Sequence, residues 1–203
     1  MTKSSLDGPV SRYLNRPISR PIAHALRGTP VTPNQVSVFA LLMALGALAL
    51  LGAGRNIEAG IIIQLSSIVD GVDGDLARAK GMASRFGGLF DATLDRYADA
   101  AIAGGMAWWA LDHEDVRAPL VVGFAAMVGF ILVSYSRARL EREGGMDVAA
   151  DLLGVASRDV RLLALSVGCV IGQAYWALVI VGGLSYATVA WRLIAFGRRP
   201  QVT

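Results

Sequence analysis

The sequence predicts an all-α integral membrane protein: six transmembrane helices behind an N-terminal amphipathic helix lying on the membrane surface. Three observations predict it. The 203 residues are 54% apolar and only 17% charged, which departs from the composition of a soluble domain. The apolar residues gather into six segments of helical length. The basic residues collect at one side of those segments. One domain suits this length, with residues 1–28 as the surface segment and 29–203 as the transmembrane part.

Taken in order, the surface segment comes first. Val10, Leu14, Ile18, Ile22 and Leu26 recur every four residues, and Arg12, Arg16, Arg20 and His24 do the same, offset by two. Two residues turn ~200° around a helix, so the stripes face opposite ways. Pro17 and Pro21 argue for short kinked pieces over one straight helix. A basic amphipathic segment ahead of a span suits an anionic membrane surface; an ordinary surface helix is the alternative. The start, M-T-K-S-S-L-D-G-P-V, lacks the apolar core of a signal peptide. Thr32 can then cap a helix with Pro33 at its first position.

The spans fall near 34–53, 58–80, 86–111, 118–140, 158–173 and 176–196. The fifth is short and separates from the sixth at Gly172-Gln173-Ala174; fusing the two would give five spans and move the C-terminus to the other side. Charge arbitrates. Arg55 and Arg117 are the only basic residues in the outer connections, where Glu58, Asp112, Glu114 and Asp115 gather. Arg192, Arg198 and Arg199 at the far end favour six spans, and the positive-inside rule puts both termini in the cytoplasm. Cys169 is the only cysteine, so no intramolecular disulfide is possible.

Two carboxylate pairs lie inside the second and third spans: Asp70 with Asp73, and Asp91 with Asp95. Spacings of three and four share a helix face, and carboxylates in such segments are costly unless they form a site. At ~1.5 Å per residue, Asp73 and Asp70 lie ~10 and ~15 Å from the Lys80 end, and Asp91 and Asp95 lie ~9 and ~15 Å from the Arg85 end. Antiparallel neighbours bring both pairs to one depth, and Gly71, Gly74, Gly87 and Gly88 would let the helices approach closely. Four facing carboxylates cannot all stay ionised without cations, and oxygen-only ligands favour hard divalent ions. The plain alternative pairs them with Arg78, Arg85 and Arg96. Asp75 lies on another face and is not expected to be a ligand. Asp99 continues the row from Asp95 and reads as the partner of a membrane arginine. Small Gly74 and Ala77 leave room on the Asp70/Asp73 side for a flat group.

A second basic cluster follows. Arg137 and Arg139 end the fourth span in S-Y-S-R-A-R; Arg158 and Arg161 open the fifth in S-R-D-V-R-L. They are either anchors with snorkelled side chains or an anion pocket for a phosphate.

Written out, the acidic stretch is D-x2-D-G-x2-A-R-x8-G-x3-D-x3-D, carried by Asp70, Asp73, Gly74, Ala77, Arg78, Gly87, Asp91 and Asp95. It resembles the signature of the CDP-alcohol phosphotransferases (CDP-alcohol phosphatidyltransferases), with no position missing. The resemblance implies a six-helix membrane domain covering all but the extreme ends. The implied reaction moves a phospho-alcohol group from a CDP-linked donor to an acceptor hydroxyl and releases CMP. Phosphate chemistry favours Mg²⁺ or Mn²⁺; the four aspartates would hold them, and the family's two-metal arrangement fits that ligand count, though the residues leave one ion or two open. Nucleotide would lie over Asp70, Asp73, Gly74, Ala77, Arg78 and Gly87, the cytidine against Gly74 and Ala77 and the diphosphate facing Arg78. A T-P-N element near the nucleotide also occurs in the family, making Asn34 a ligand candidate, although helix initiation alone explains it equally. Asp95 is the implied general base. The implied partners are donor, alcohol or sugar-phosphate acceptor, membrane lipids and a second copy in a homodimer, with no nucleic acid. The implied location is the cell (inner) membrane, with the site facing the cytoplasm.

S-S-I-V-D-G-V-D-G, S-R-F-G-G-L-F-D, D-R-Y-A-D and S-R-D-V-R-L look most like the transferase half of enzymes making di-myo-inositol phosphate phosphate. That branch implies a CDP-inositol donor, an inositol phosphate acceptor, and Arg137, Arg139, Arg158 and Arg161 on the acceptor phosphate. No cytidylyltransferase domain precedes the membrane part, so on this branch the donor is expected from another protein. Within the family, a phosphatidylglycerophosphate- or phosphatidylinositol-phosphate-type synthase using CDP-diacylglycerol is the alternative. Outside it, an ion carrier with an acidic intramembrane pathway would account for the carboxylates but not for Gly74, Ala77, Arg78 and Gly87 at fixed offsets.

Overall fold

Capping and turn residues decide where each helix starts and stops in the computed structural model, which describes residues 8–144 and 157–198. A π-helical stretch, Ser11–Asn15, runs into α1, Arg16–Leu26. Next comes α2, Pro33–Gly52, opened by a capping box: the Thr32 hydroxyl accepts from the Gln35 N–H, and the Gln35 side chain accepts from the Thr32 N–H. The third helix, α3, Asn56–Lys80, stops at Gly81, whose φ of 66° is left-handed. Ser84 caps α4, Arg85–His113, by accepting from the Gly87 N–H. Pro119 opens α5, Pro119–Arg142. The last two helices are α6, Arg158–Val170, and α7, Ala174–Gly197. Gly172, at φ +72°, parts them at the place where the sequence separates the fifth and sixth spans.

All described helices and turns fit an all-helical membrane fold, and each of α2–α7 lies within a few residues of its sequence-based span. Only α2, α5 and α7 among the described helices are long and apolar enough by themselves to cross a bilayer. Charged side chains interrupt α3 and α4, and α6 has 13 residues. Arg199 and the extreme ends, used above to orient the chain, lie outside the described residues.

Two expectations need correction. Pro17 and Pro21 do not break the first segment: the helical path is continuous from residue 9 to residue 26. Pro17 falls where the π-helical stretch gives way to α1, and Pro17 and Pro21 each give up one ladder bond without ending the helix. The packing face is a third stripe, Asn15, Ser19 and Ala23, which is buried while Tyr13, Leu14, Ile18 and Ile22 stay exposed. Asn15 donates to Ser67 and accepts from Gln64, both on α3. The middle of the apolar stripe, Leu14, Ile18 and Ile22, is thereby left outermost.

The second correction concerns α3 and α4. They scarcely meet; α2 packs against both. A Cβ on Gly88 would touch nothing within 4 Å, and one on Gly74 would touch only Arg78. Like charges resist being desolvated against one another, so these glycines open space between the carboxylate pairs where close packing was expected. Glycines do permit close crossings elsewhere. A Cβ on Gly60 of α3 would come 2.7 Å from the Ser166 carbonyl of α6, and one on Gly123 of α5 would come 2.5 Å from Ala107 of α4. Small residues with Leu51, Ile63, Met106, Phe130, Leu165 and Leu178 form the core beneath the site.

Candidate active site

The end of α3 and the start of α4 face one another across a cavity of about 570 Å³. Lys80 fixes the rim by donating to the Thr29 and Val31 carbonyls, which holds the loop before α2 against α3. Asp70, Asp91 and Asp95 each present an oxygen within 4.8 Å of the others. Asp73 is not in that group. Three residues turn a helix ~60° short of a full circle, and this brings Asp73 towards α2. There it accepts from the Ser37 hydroxyl at 2.5 Å and from the Gly74 N–H, beside Asp91. Sequence reasoning passed over Ser37, although it lies one turn beyond Asn34 in the T-P-N-Q-V-S stretch.

The same cavity is lined by Asn34, Gly74, Ala77, Arg78 and Gly87, so every nucleotide candidate is brought together. Gly87 matters by its size: a Cβ there would sit 3.2 Å from the Ser84 hydroxyl and 3.7 Å from the Asn34 side-chain Oδ1. Arg78 is half-exposed and holds Asp75 at 2.6 Å. Asp75 is thus engaged by arginines, because its other oxygen meets Arg16 at 2.8 Å. Arg16 therefore leaves the outer basic stripe and joins the cavity wall, a role that its stripe position did not signal.

A second cavity, about 340 Å³, adjoins the first. Asp95, Arg137, Arg158 and Arg161 line it, together with Arg96, which the sequence offers only as a partner for the carboxylates and which meets Asp95 at 3.4 Å, and Arg192, which sequence reasoning missed. Arg192 is 1% exposed and donates to the Val133 carbonyl and the Ser136 hydroxyl of α5; in sequence it reads as an anchoring charge at the end of a span. Arg139 is not brought there. It lies on the far side of α5, exposed and paired with Glu143 at 3.1 Å, since two residues turn ~200° and Arg137 takes the inner face.

Arg158 links the two cavities. Its Nη1 is 2.8 Å from Asp70 and 2.9 Å from Asp95, and its Nε is 3.2 Å from Asp99. Asp99, 3% exposed, also meets Arg161 at 3.3 Å and Arg96 at 3.6 Å. It is the partner of membrane arginines that its place in the row suggests. Phe130 presents its ring to Arg161, 5.0 Å from centroid to guanidinium carbon.

Oxygen donors converging from Asp70, Asp91 and Asp95 are the set that hard divalent cations take. The residues present therefore fit a divalent metal.

The comparisons with known proteins agree with this chemistry. A family model for CDP-alcohol phosphatidyltransferase matches residues 30–194. The bifunctional IPC transferase and DIPP synthase of Rubrobacter xylanophilus is 46% identical over 196 residues, 96% of this chain and 44% of that protein. The chain thus spans less than half of that relative's length. The archaetidylinositol phosphate synthase of Pyrococcus horikoshii is 33% identical over 189 residues, 93% of this chain and 95% of that one. These relatives match the inositol-phosphate branch. The phosphatidylinositol phosphate synthase of Mycobacterium tuberculosis, solved with CDP-DAG bound, shares the fold with a TM-score of 0.76 at 26% identity, covering 91% of this chain and 96% of that one. It has also been solved in complex with manganese and citrate. With the signature intact and the match running from the loop before α2 almost to the end of α7, the chain belongs to the CDP-alcohol phosphatidyltransferase family.

Proposed function

We propose that the protein is a metal-dependent membrane transferase. It moves a phospho-alcohol group from a CDP-linked donor to a hydroxyl of inositol phosphate and releases CMP. One observation carries the reading: Asp95 lines both cavities, the larger with the nucleotide signature and the smaller with arginines. A hydroxyl held in the second can thus meet a phosphorus held in the first beside a carboxylate.

Asn34, Gly74, Ala77 and Gly87 shape the nucleotide seat, and Arg78 faces the diphosphate. Arg137, Arg158 and Arg161 hold the acceptor phosphate, joined by Arg96 and Arg192 on the same wall; Arg139 is withdrawn from that set. Asp95 takes the proton as the acceptor oxygen bonds to phosphorus and the bond to CMP breaks. Divalent cations, held by Asp70, Asp91 and Asp95 with Asp73 alongside, supply charge neutralisation at the diphosphate.

Six crossings by α2–α7, residues 1–28 on the surface and 29–203 in the membrane, a cytoplasmic site and both termini inside belong to the same reading; charge placement supports them. The homodimer rests on the family resemblance.

The test is CMP release from purified protein given radiolabelled CDP-inositol or CDP-diacylglycerol, a panel of acceptors and Mg²⁺ or Mn²⁺. Release with inositol phosphate as acceptor is expected, and the donor that serves separates a soluble from a lipid product. Asp95→Asn should still bind CMP but scarcely turn over. No release from any pair would favour the ion carrier and end the proposal.

A further inference from the structure

Arg158 touches carboxylates that have two different duties. Through Nη1 it bridges Asp70 and Asp95, two of the three groups whose oxygens converge within 4.8 Å. Through Nε it is tied to Asp99, which belongs to the arginine cluster of the second cavity. A guanidinium and a divalent cation cannot both sit on the same carboxylate oxygens without strong repulsion. Asp99 is almost fully buried among Arg96, Arg158 and Arg161, so the Nε end keeps its partner while the Nη end has a rival.

We propose that Arg158 is a shared counter-ion. It neutralises Asp70 and Asp95 until a divalent cation takes their oxygens, and it then turns about its Asp99 contact to serve the acceptor cavity. The inference rests on the reading of the two cavities as donor and acceptor sites. It makes acceptor binding follow cation loading, so a phosphorylated acceptor is held back from a site that cannot yet react.

The test is calorimetric titration of Mn²⁺ into the full chain in detergent, with neither substrate present. Arg158→Gln and Arg158→Met remove the rival charge and should bind Mn²⁺ at least about tenfold more tightly than wild type. Arg158→Lys keeps the charge and should stay within a few-fold. Arg161→Gln removes an equal charge that touches Asp99 but neither Asp70 nor Asp95, and should also stay within a few-fold. In a second titration, inorganic phosphate should bind wild type several-fold more tightly once Mn²⁺ is present, and Arg158→Gln should lose that gain. Equal Mn²⁺ affinity in wild type and a folded neutral variant overturns the inference, as does an equal gain from Arg161→Gln or a phosphate gain that survives Arg158→Gln. Failure of every protein to bind Mn²⁺ would instead overturn the metal site, and the inference with it.

Discussion

Arg137 and Arg139 differ by two positions and have opposite fates, and this sets the sharpest expectation for a single side chain. Arg137 lines both cavities and holds Glu141 at 3.2 Å, whereas Arg139 points away to Glu143. A charge-assisted contact is worth ~1.5–3 kcal/mol, roughly ten- to a hundredfold in affinity. Arg137→Ala should therefore raise the acceptor KM by about that factor and, because Arg137 also borders the larger cavity, the donor KM by a smaller one. Arg139→Ala should alter neither, since exposed ion pairs contribute little. Steady-state kinetics with both substrates varied decides it. The aspartates and the small residues of the signature were legible because their spacing is itself the information. Arg192 and Arg16 were not. A basic residue near the end of a span, or in a surface stripe, has the same local pattern whether it anchors the chain or turns inward; only the partners distinguish them, Val133 for one and Asp75 for the other.

At the scale of the helix, start and stop signals were readable because each is a local chemical event. Thr32 with Pro33, Gly172 before α7 and the apolar runs between them placed α2–α7 to within a few residues. Which helices touch was not readable in the same way. Glycines on α3 and α4 suggested a direct contact, yet α2 packs against both and those glycines border open space. The crossing of α3 and α6 does depend on a glycine. Gly60 lets Ser166 donate to its carbonyl at 2.7 Å, and an added Cβ would meet the Ser166 backbone. Gly60→Val should lower thermal stability in detergent by about 1–3 kcal/mol. Gly104→Ala, with nothing within 4 Å of the new atom, should be neutral or stabilising by up to ~1 kcal/mol. A loss of stability in the second and not in the first would reverse this account of the packing.

At the scale of the whole molecule, the arrangement of charge predicts orientation. Reporters placed after the last residue and within Asp112–Glu114 should report opposite sides of the membrane. The same side for both would mean that one of α2–α7 does not cross, with the 13-residue α6 the first suspect. The first helix carries a wider consequence. One stripe of α1 is outermost and apolar, while Arg16, the first residue of the same helix, reaches Asp75 and through it Arg78. On the proposed reading, with this stripe in the membrane surface and nucleotide in the larger cavity, two ion pairs would join the lipid environment to the nucleotide seat. Thickness, curvature and headgroup charge of the surrounding leaflet would then be variables of turnover, and a detergent that draws the helix away from the body should mimic a mutation at Arg78, which turnover measured across lipid compositions checks.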